Sequence, residues 1–211
     1  MAKKSEFFSA IAGEMKDLGF KRRKSNYEYV IDLGSGVEGW CSFADSNHGG
    51  GAGLWIATFV GLRWEAIEGR IEAWCGDVVP GWDGRFYVPT FSSNVGYLTA
   101  RVQWLEHQVD LAGASIEENI RPNIADVTEI GLDFMRSHAS YRGLIEALKI
   151  GHGQLPDRCL ERLPLAFALA GDREGAYREL ENMRRKVDEE SYMSVRYLRF
   201  IEGFVSEFPL N

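Results

Sequence analysis

The segment Asn47-His48-Gly49-Gly50-Gly51-Ala52-Gly53 holds the residues most suggestive of chemistry, because His-Gly-Gly-Gly can present backbone N–H groups to an oxyanion during acyl transfer. That chemistry also needs a serine on a Gly-x-Ser-x-Gly elbow between a strand and a helix, with Asp and His partners downstream. No such elbow occurs in the sequence. The same glycines could cradle a phosphate, but the run lacks the Gly-Lys-Ser/Thr ending of a phosphate loop and leads into an apolar, strand-like segment. A flexible connection between two strands accounts for it without a ligand.

Three cysteines (Cys41, Cys75, Cys159) and four histidines (His48, His107, His138, His152) lie far apart, without the short-spaced pairs that a zinc site uses. An odd number of cysteines leaves one unpaired in any intrachain scheme, so the three read as reduced core residues. Glu65, Glu68 and Glu72 fall near one helical face, opposite Ile67, Ile71 and Trp74. They read as a solvated face, since raising a carboxylate pKa for acid or base work requires burial or a close like charge. Lys21-Arg22-Arg23-Lys24 follows the first helix, where cations offset the negative end of the helix dipole. No metal, cofactor or catalytic residue is assigned, and the balance falls against an enzyme.

The side chains expected to meet a partner lie instead in two loops, 45–53 and 77–84. Trp82 sits in Pro80-Gly81-Trp82-Asp83-Gly84, where a loop offers little cover for an indole. With Asp77, Asp83 and His48 it makes the expected partner-binding set.

These loops need a scaffold, and the periodicity supplies one. Phe7, Phe8, Ile11, Met15 and Leu18 recur at helical spacing, with Ser5 placed as the cap and Gly19 as the stop. Residues 27–33 alternate as a half-buried strand, Gly34-Ser35-Gly36 turns the chain, and 37–43 return as its hairpin partner. The almost uniformly apolar 54–62 reads as a central strand. A packing helix over 64–74, a polar loop, and strands over 86–95 and 101–107 complete a sheet of about five antiparallel strands. Beyond Gly113 the period is helical, opened by Ser115 and Glu118 in capping-box spacing, with Pro122 expected to kink or restart the helix. The expected class is therefore α+β: an antiparallel sheet with an N-terminal helix and a packing helix over 1–112, then an all-helical half over 113–211.

The 211 residues carry a net charge of -7, which disfavours a nucleic-acid backbone as a direct partner and suits a basic protein. No apolar run approaches the roughly 20 residues that span a bilayer, and the N-terminus lacks an apolar signal core, so no membrane role and a cytoplasmic location are expected.

The first helix, the turn Leu18-Gly19-Phe20-Lys21-Arg22, the aromatic strand after it, the strand over 56–63 and Trp104 together resemble the bacterial domain of unknown function 4304, over about residues 5–150. That resemblance implies an α+β domain without assigned catalytic residues, similar to small bacterial immunity or partner-binding proteins. Residues 163–186, with Ala168-Leu169-Ala170-Gly171-Asp172, resemble one tetratricopeptide-type helical hairpin. The leading expectation is a non-catalytic protein-binding module, an immunity protein that occludes a toxin surface. The alternatives are an enzyme or sensor with a small-molecule pocket between sheet and helices, using His48, His107 or glutamates, and a scaffold that acts through its helical tail.

Overall fold

The computed structural model describes residues 2–23, 27–47, 53–76, 89–110, 112–153, 160–185 and 192–210. The chain divides into two compact, interleaved units, Met1–Leu62 with Ser92–Ser137 and Arg63–Phe91 with His138–Asn211. The boundary expected at 112/113 falls inside the first of them.

The first unit is built on a six-stranded sheet, β1 (Lys21–Arg22), β2 (Glu28–Asp32), β3 (Val37–Ser46), β4 (Leu54–Trp64), β5 (Phe91–Asn94) and β6 (His107–Val109). The first five are neighbours in that order, and β6 also pairs with β4. As the apolar run predicts, β4 is central. Part of the basic run is structural: Lys21 and Arg22 form an edge strand opposite Val30 and Tyr29. The β2–β3 hairpin closes through Gly34, Ser35 and Gly36, all at positive φ (84°, 54° and 75°), where two glycines avoid the clash a Cβ would meet. The Asp32 side chain accepts the Gly34 N–H at 2.8 Å and steadies the turn.

Helix α1 (Ala2–Asp17) buries Phe7, Phe8, Ile11 and Met15. It begins three residues before the expected cap, so Ser5 lies inside it. It ends at Gly19 (φ 88°), with the Phe20 N–H on the Met15 carbonyl and the Gly19 N–H on that of Lys16. Helix α3 (Ile116–Ala125) packs on α1 and opens with the expected capping box, the Ser115 hydroxyl accepting the Glu118 N–H and the Glu118 carboxylate accepting the Ser115 N–H. It runs through Pro122 and widens four residues later into a π-helical segment, Asp126–Gly131, before α4 (Leu132–Ser137). The Thr128 hydroxyl donates to the Ile124 and Ala125 carbonyls where the winding changes. At Gly131 a Cβ would come within 2.8 Å of Val60 Cγ1, so only glycine lets the π segment lie this close to β4.

Two strand expectations need correction. Residues 101–106 form no strand; only His107–Val109 pair, opposite Ile56–Leu54. Of 86–95, residues 86–88 lie outside the described residues, β5 covers Phe91–Asn94, and Val95–Leu98 wind into a 3-10 turn. Alternating residue types in both stretches suit a strand, but the chain leaves the sheet between them.

The second unit comprises α2 (Glu65–Cys75), α5 (Tyr141–Ile150), α6 (Arg162–Leu169), α7 (Arg173–Arg184) and α8 (Tyr192–Glu207). Helices α6 and α7 form the hairpin expected from their sequence, with Asp172 capping α7 through the Gly175 N–H at 2.8 Å. Against α2, α8 sets Phe200 edge-on to Trp74 (centroids 5.6 Å apart) and Gly203 where the Trp74 ring leaves no room for a Cβ. Glu68 overturns its reading as a solvated residue: it is 6% exposed, and both its oxygens accept from Arg162 at 2.8 Å. Next to Arg162, Glu161 takes both ends of the Arg196 guanidinium. Two buried acids and two arginines thus tie α2, α6 and α8 together.

Breaking a buried pair by removing one partner costs about 3–5 kcal/mol, because the remaining charge has lost its solvent and its counter-ion. Arg162→Met is therefore expected to lower unfolding stability by that order in urea melts, and adding Glu68→Leu to recover most of the loss. Equal melts for Arg162→Met and wild type would show that Glu68 reaches water.

Candidate functional site

Segment 94–110 leaves the sheet at β5 and returns as the three-residue β6, so most of its backbone lacks a strand neighbour to pair with. Asparagine side chains take that role. Asn94, 2% exposed, accepts the Leu105 N–H at 2.9 Å and donates to the Leu105 carbonyl at 2.8 Å. It also accepts the Gly96 N–H at 3.0 Å and reaches the Thr58 carbonyl on β4 at 3.4 Å. Beyond β6, Asn119 repeats the device on Asp110, accepting its N–H at 2.7 Å and donating to its carbonyl at 2.9 Å.

The loop closed by Asn94, residues 95–106, is compact. The Gly96 carbonyl accepts from the Thr99 hydroxyl at 2.9 Å and from the N–H groups of Thr99 and Gln103. A Cβ at Gly96 would collide with the Gln103 carbonyl and Leu105, so the crossing requires glycine. Val102, a β-branched residue, is held at φ 47° in the left-handed region, at a cost of about 1–2 kcal/mol. Strain of this kind persists only where surrounding contacts impose it, and it gathers at binding and catalytic sites.

Alongside exposed Arg101 and Gln103, the loop presents two large apolar side chains. Val102 is 65% exposed and Trp104 49% exposed. The indole stands edge-on to Phe59 of β4, centroids 5.4 Å apart, and its N–H reaches Glu106 at 3.3 Å. The Ser46 hydroxyl donates to the same Glu106 oxygen. Trp104 is thus an amphipathic anchor on an oriented support, with an acidic side chain at its polar edge.

The residues expected to meet a partner, His48, Asp77, Trp82 and Asp83, lie outside the described residues, as does Cys159. Of the other histidines, His107 Nε2–H donates to Asp126 at 2.9 Å, the orientation a base and its positioning carboxylate would have. Cys41 lies near enough to feel the Asp126 charge, but it is fully buried. Burial first, and that negative charge second, push its thiol well above the ordinary range, the opposite of what a nucleophilic thiolate needs. Among the described residues no group of three or more His, Cys, Asp or Glu side chains is placed to hold a metal ion. A cleft of about 350 Å³ along α1 and α3 is lined by Glu14, Glu117, Ile120, Arg121, Ile124 and Thr128, its charged members exposed to solvent.

Sequence reasoning missed Trp104 and Val102 as exposed residues because 101–107 alternates like a strand. Two signals pointed to them: Gly96, where the chain crosses itself, and Asn94, a turn-forming residue at the end of an otherwise strand-like run.

Compared with known proteins, the chain matches no family model, no curated protein and no solved structure at a significant level.

Asn94→Ala would take the side-chain partner from the half-buried Leu105 N–H and carbonyl and from the buried Gly96 N–H. The expected cost is about 2–3 kcal/mol, with faster amide hydrogen exchange at Gly96 and Leu105 than in the rest of the sheet. Cys41 is expected to resist thiol reagents at neutral pH until denaturant is added; rapid labelling of that residue in the native protein, located by peptide mapping, would contradict its burial.

Proposed function

We propose that this chain is a non-catalytic protein-binding module that occludes a surface of its partner, in the manner of an immunity protein neutralising a toxin. The observation that carries this reading is Trp104 with Val102, exposed together on a loop that Asn94 and Gly96 hold in one conformation. Tryptophan is among the residues most enriched at binding hot spots, where a large ring contributes contact area for little lost rotamer freedom. A loop already ordered before binding loses less entropy on association than a free one. Keeping a valine in the left-handed region has no evident benefit to the unit's own core, since that side chain faces water.

The partner is a basic protein. The net charge of -7 favours encounter with a cationic surface, and Glu106 supplies an acceptor beside the indole. His48, Asp77, Trp82 and Asp83 remain in the proposal as members of two further binding loops, 45–53 and 77–84. The saturated pairing of Glu68, Glu161, Arg162 and Arg196 argues that these buried charges are structural, because each already satisfies another.

The test is affinity capture from the source cells, using wild type and Trp104→Ala side by side, followed by mass spectrometry. A partner retained by wild type should be lost by the variant, with a dissociation constant at least about 30-fold higher, a hot-spot effect of about 2 kcal/mol. The association rate should fall as salt rises. Equal capture by both proteins would remove the loop from the interface, and a partner without a basic surface would remove the electrostatic part.

A further inference from the structure

An indole is the aromatic ring that holds a cation best, because its face carries the most negative charge, and arginine is the cation found there most often. The chain makes such contacts at other rings: Lys4 lies over Phe8, Arg22 over Tyr27, Lys149 over Phe167 and Arg70 over Phe208, each 4.8–5.9 Å from the ring centroid. Among the described residues no lysine or arginine is placed over Trp104, which stays 49% exposed although it meets Phe59. At the polar edge of that indole a carboxylate is held in position. Glu106 Oε2 accepts the Trp104 N–H at 3.3 Å and the Ser46 hydroxyl, from the end of β3, at 3.4 Å. An uncovered ring face and an oriented carboxylate at its edge are the two elements that a guanidinium needs.

We propose that Trp104 and Glu106 receive one arginine side chain of the basic partner, its guanidinium stacked on the indole and its N–H groups donating to the Glu106 carboxylate. This inference rests on loop 95–106 being the binding surface and adds the chemistry of what it meets. Arginine fits better than lysine. A planar guanidinium can lie flat on the ring while the N–H groups in its own plane extend past the edge towards the carboxylate, and it sheds its weakly held water readily. The lysine ammonium is a compact, strongly hydrated charge with no face to stack. Hydrogen bonds between ionised groups are about twice as strong as neutral ones, so the carboxylate fixes the direction of approach that the ring alone leaves open. Exposed Arg101, on the same loop, is a like charge that opposes the incoming cation; ring and carboxylate together outweigh it.

The experiment titrates the full chain, labelled with nitrogen-15, with Nα-acetyl-arginine amide and, separately, with Nα-acetyl-lysine amide. The tryptophan indole N–H signals are followed by NMR, that of Trp104 being the one lost in Trp104→Phe. Expected is a saturable shift of the Trp104 signal with the arginine probe, at a dissociation constant of about millimolar order, and at least about three-fold weaker binding of the lysine probe. Glu106→Gln keeps an acceptor for the indole and for Ser46 but removes the charge, and it should weaken arginine binding at least about five-fold while leaving the Leu105 amide signal in place. No saturable shift at Trp104, equal binding of the two probes, or unchanged affinity in Glu106→Gln would overturn the proposal. Partner capture lost in Trp104→Ala without any response to the arginine probe overturns this inference alone. A response to the probe with capture unchanged by Trp104→Ala overturns the binding surface on which it rests.

Discussion

A backbone N–H and C=O taken out of water must find partners inside the protein, and in the first unit two asparagine side chains supply them where strands do not. An amide side chain carries one acceptor and one donor group in the same geometry as a peptide, so it can stand in for one rung of a ladder. Asn94 does this for Leu105 and Asn119 for Asp110, one on either side of β6. Asn123 donates to the Thr58 hydroxyl from the helix side of β4. A three-residue strand alone makes too few bonds to fix the chain that enters and leaves it; with both flanks clamped, β6 and the loop before it become one ordered piece.

The loop's conformation follows from that clamp. Joining Leu105 to Asn94 brings the ends of 95–106 together, forces the crossing at Gly96, and leaves Val102 on the left-handed side of backbone space. Its exposed apolar residues therefore project from a defined support. Phe59, on the opposite side of β4 from Thr58, gives Trp104 a ring to lean against, so the strand that anchors the helices with one face orients the indole with the other.

The second unit meets the same requirement with charges. Glu68 and Glu161 each accept a two-pronged guanidinium, a geometry that satisfies both carboxylate oxygens at once and suits arginine better than lysine. Desolvation is the largest influence on Arg162 and opposes its ionisation, but the charge and hydrogen bonds of Glu68 together with the charge of Glu161 outweigh it, so the guanidinium pKa lies above its usual value. Such pairs contribute less net stability than an apolar contact of the same size, but a wrongly packed helix would strand a charge, and that penalty selects one arrangement of α2, α6 and α8.

The α+β class, the first helix, the β2–β3 hairpin, the central strand and the capping box at Ser115 were legible in the sequence alone, because each depends on side-chain periodicity or turn chemistry within a few residues. The sites were not. Glu68 has the spacing of a solvated face, and only the arrival of Arg162, distant in the chain, makes it a buried ion. Trp104 has the spacing of a strand residue, and only Asn94, through one side-chain amide, turns its segment into a loop. Local pattern determines which elements form; which polar group is buried, and which aromatic is left in water, depends on partners brought together by tertiary packing, and no spacing rule encodes them.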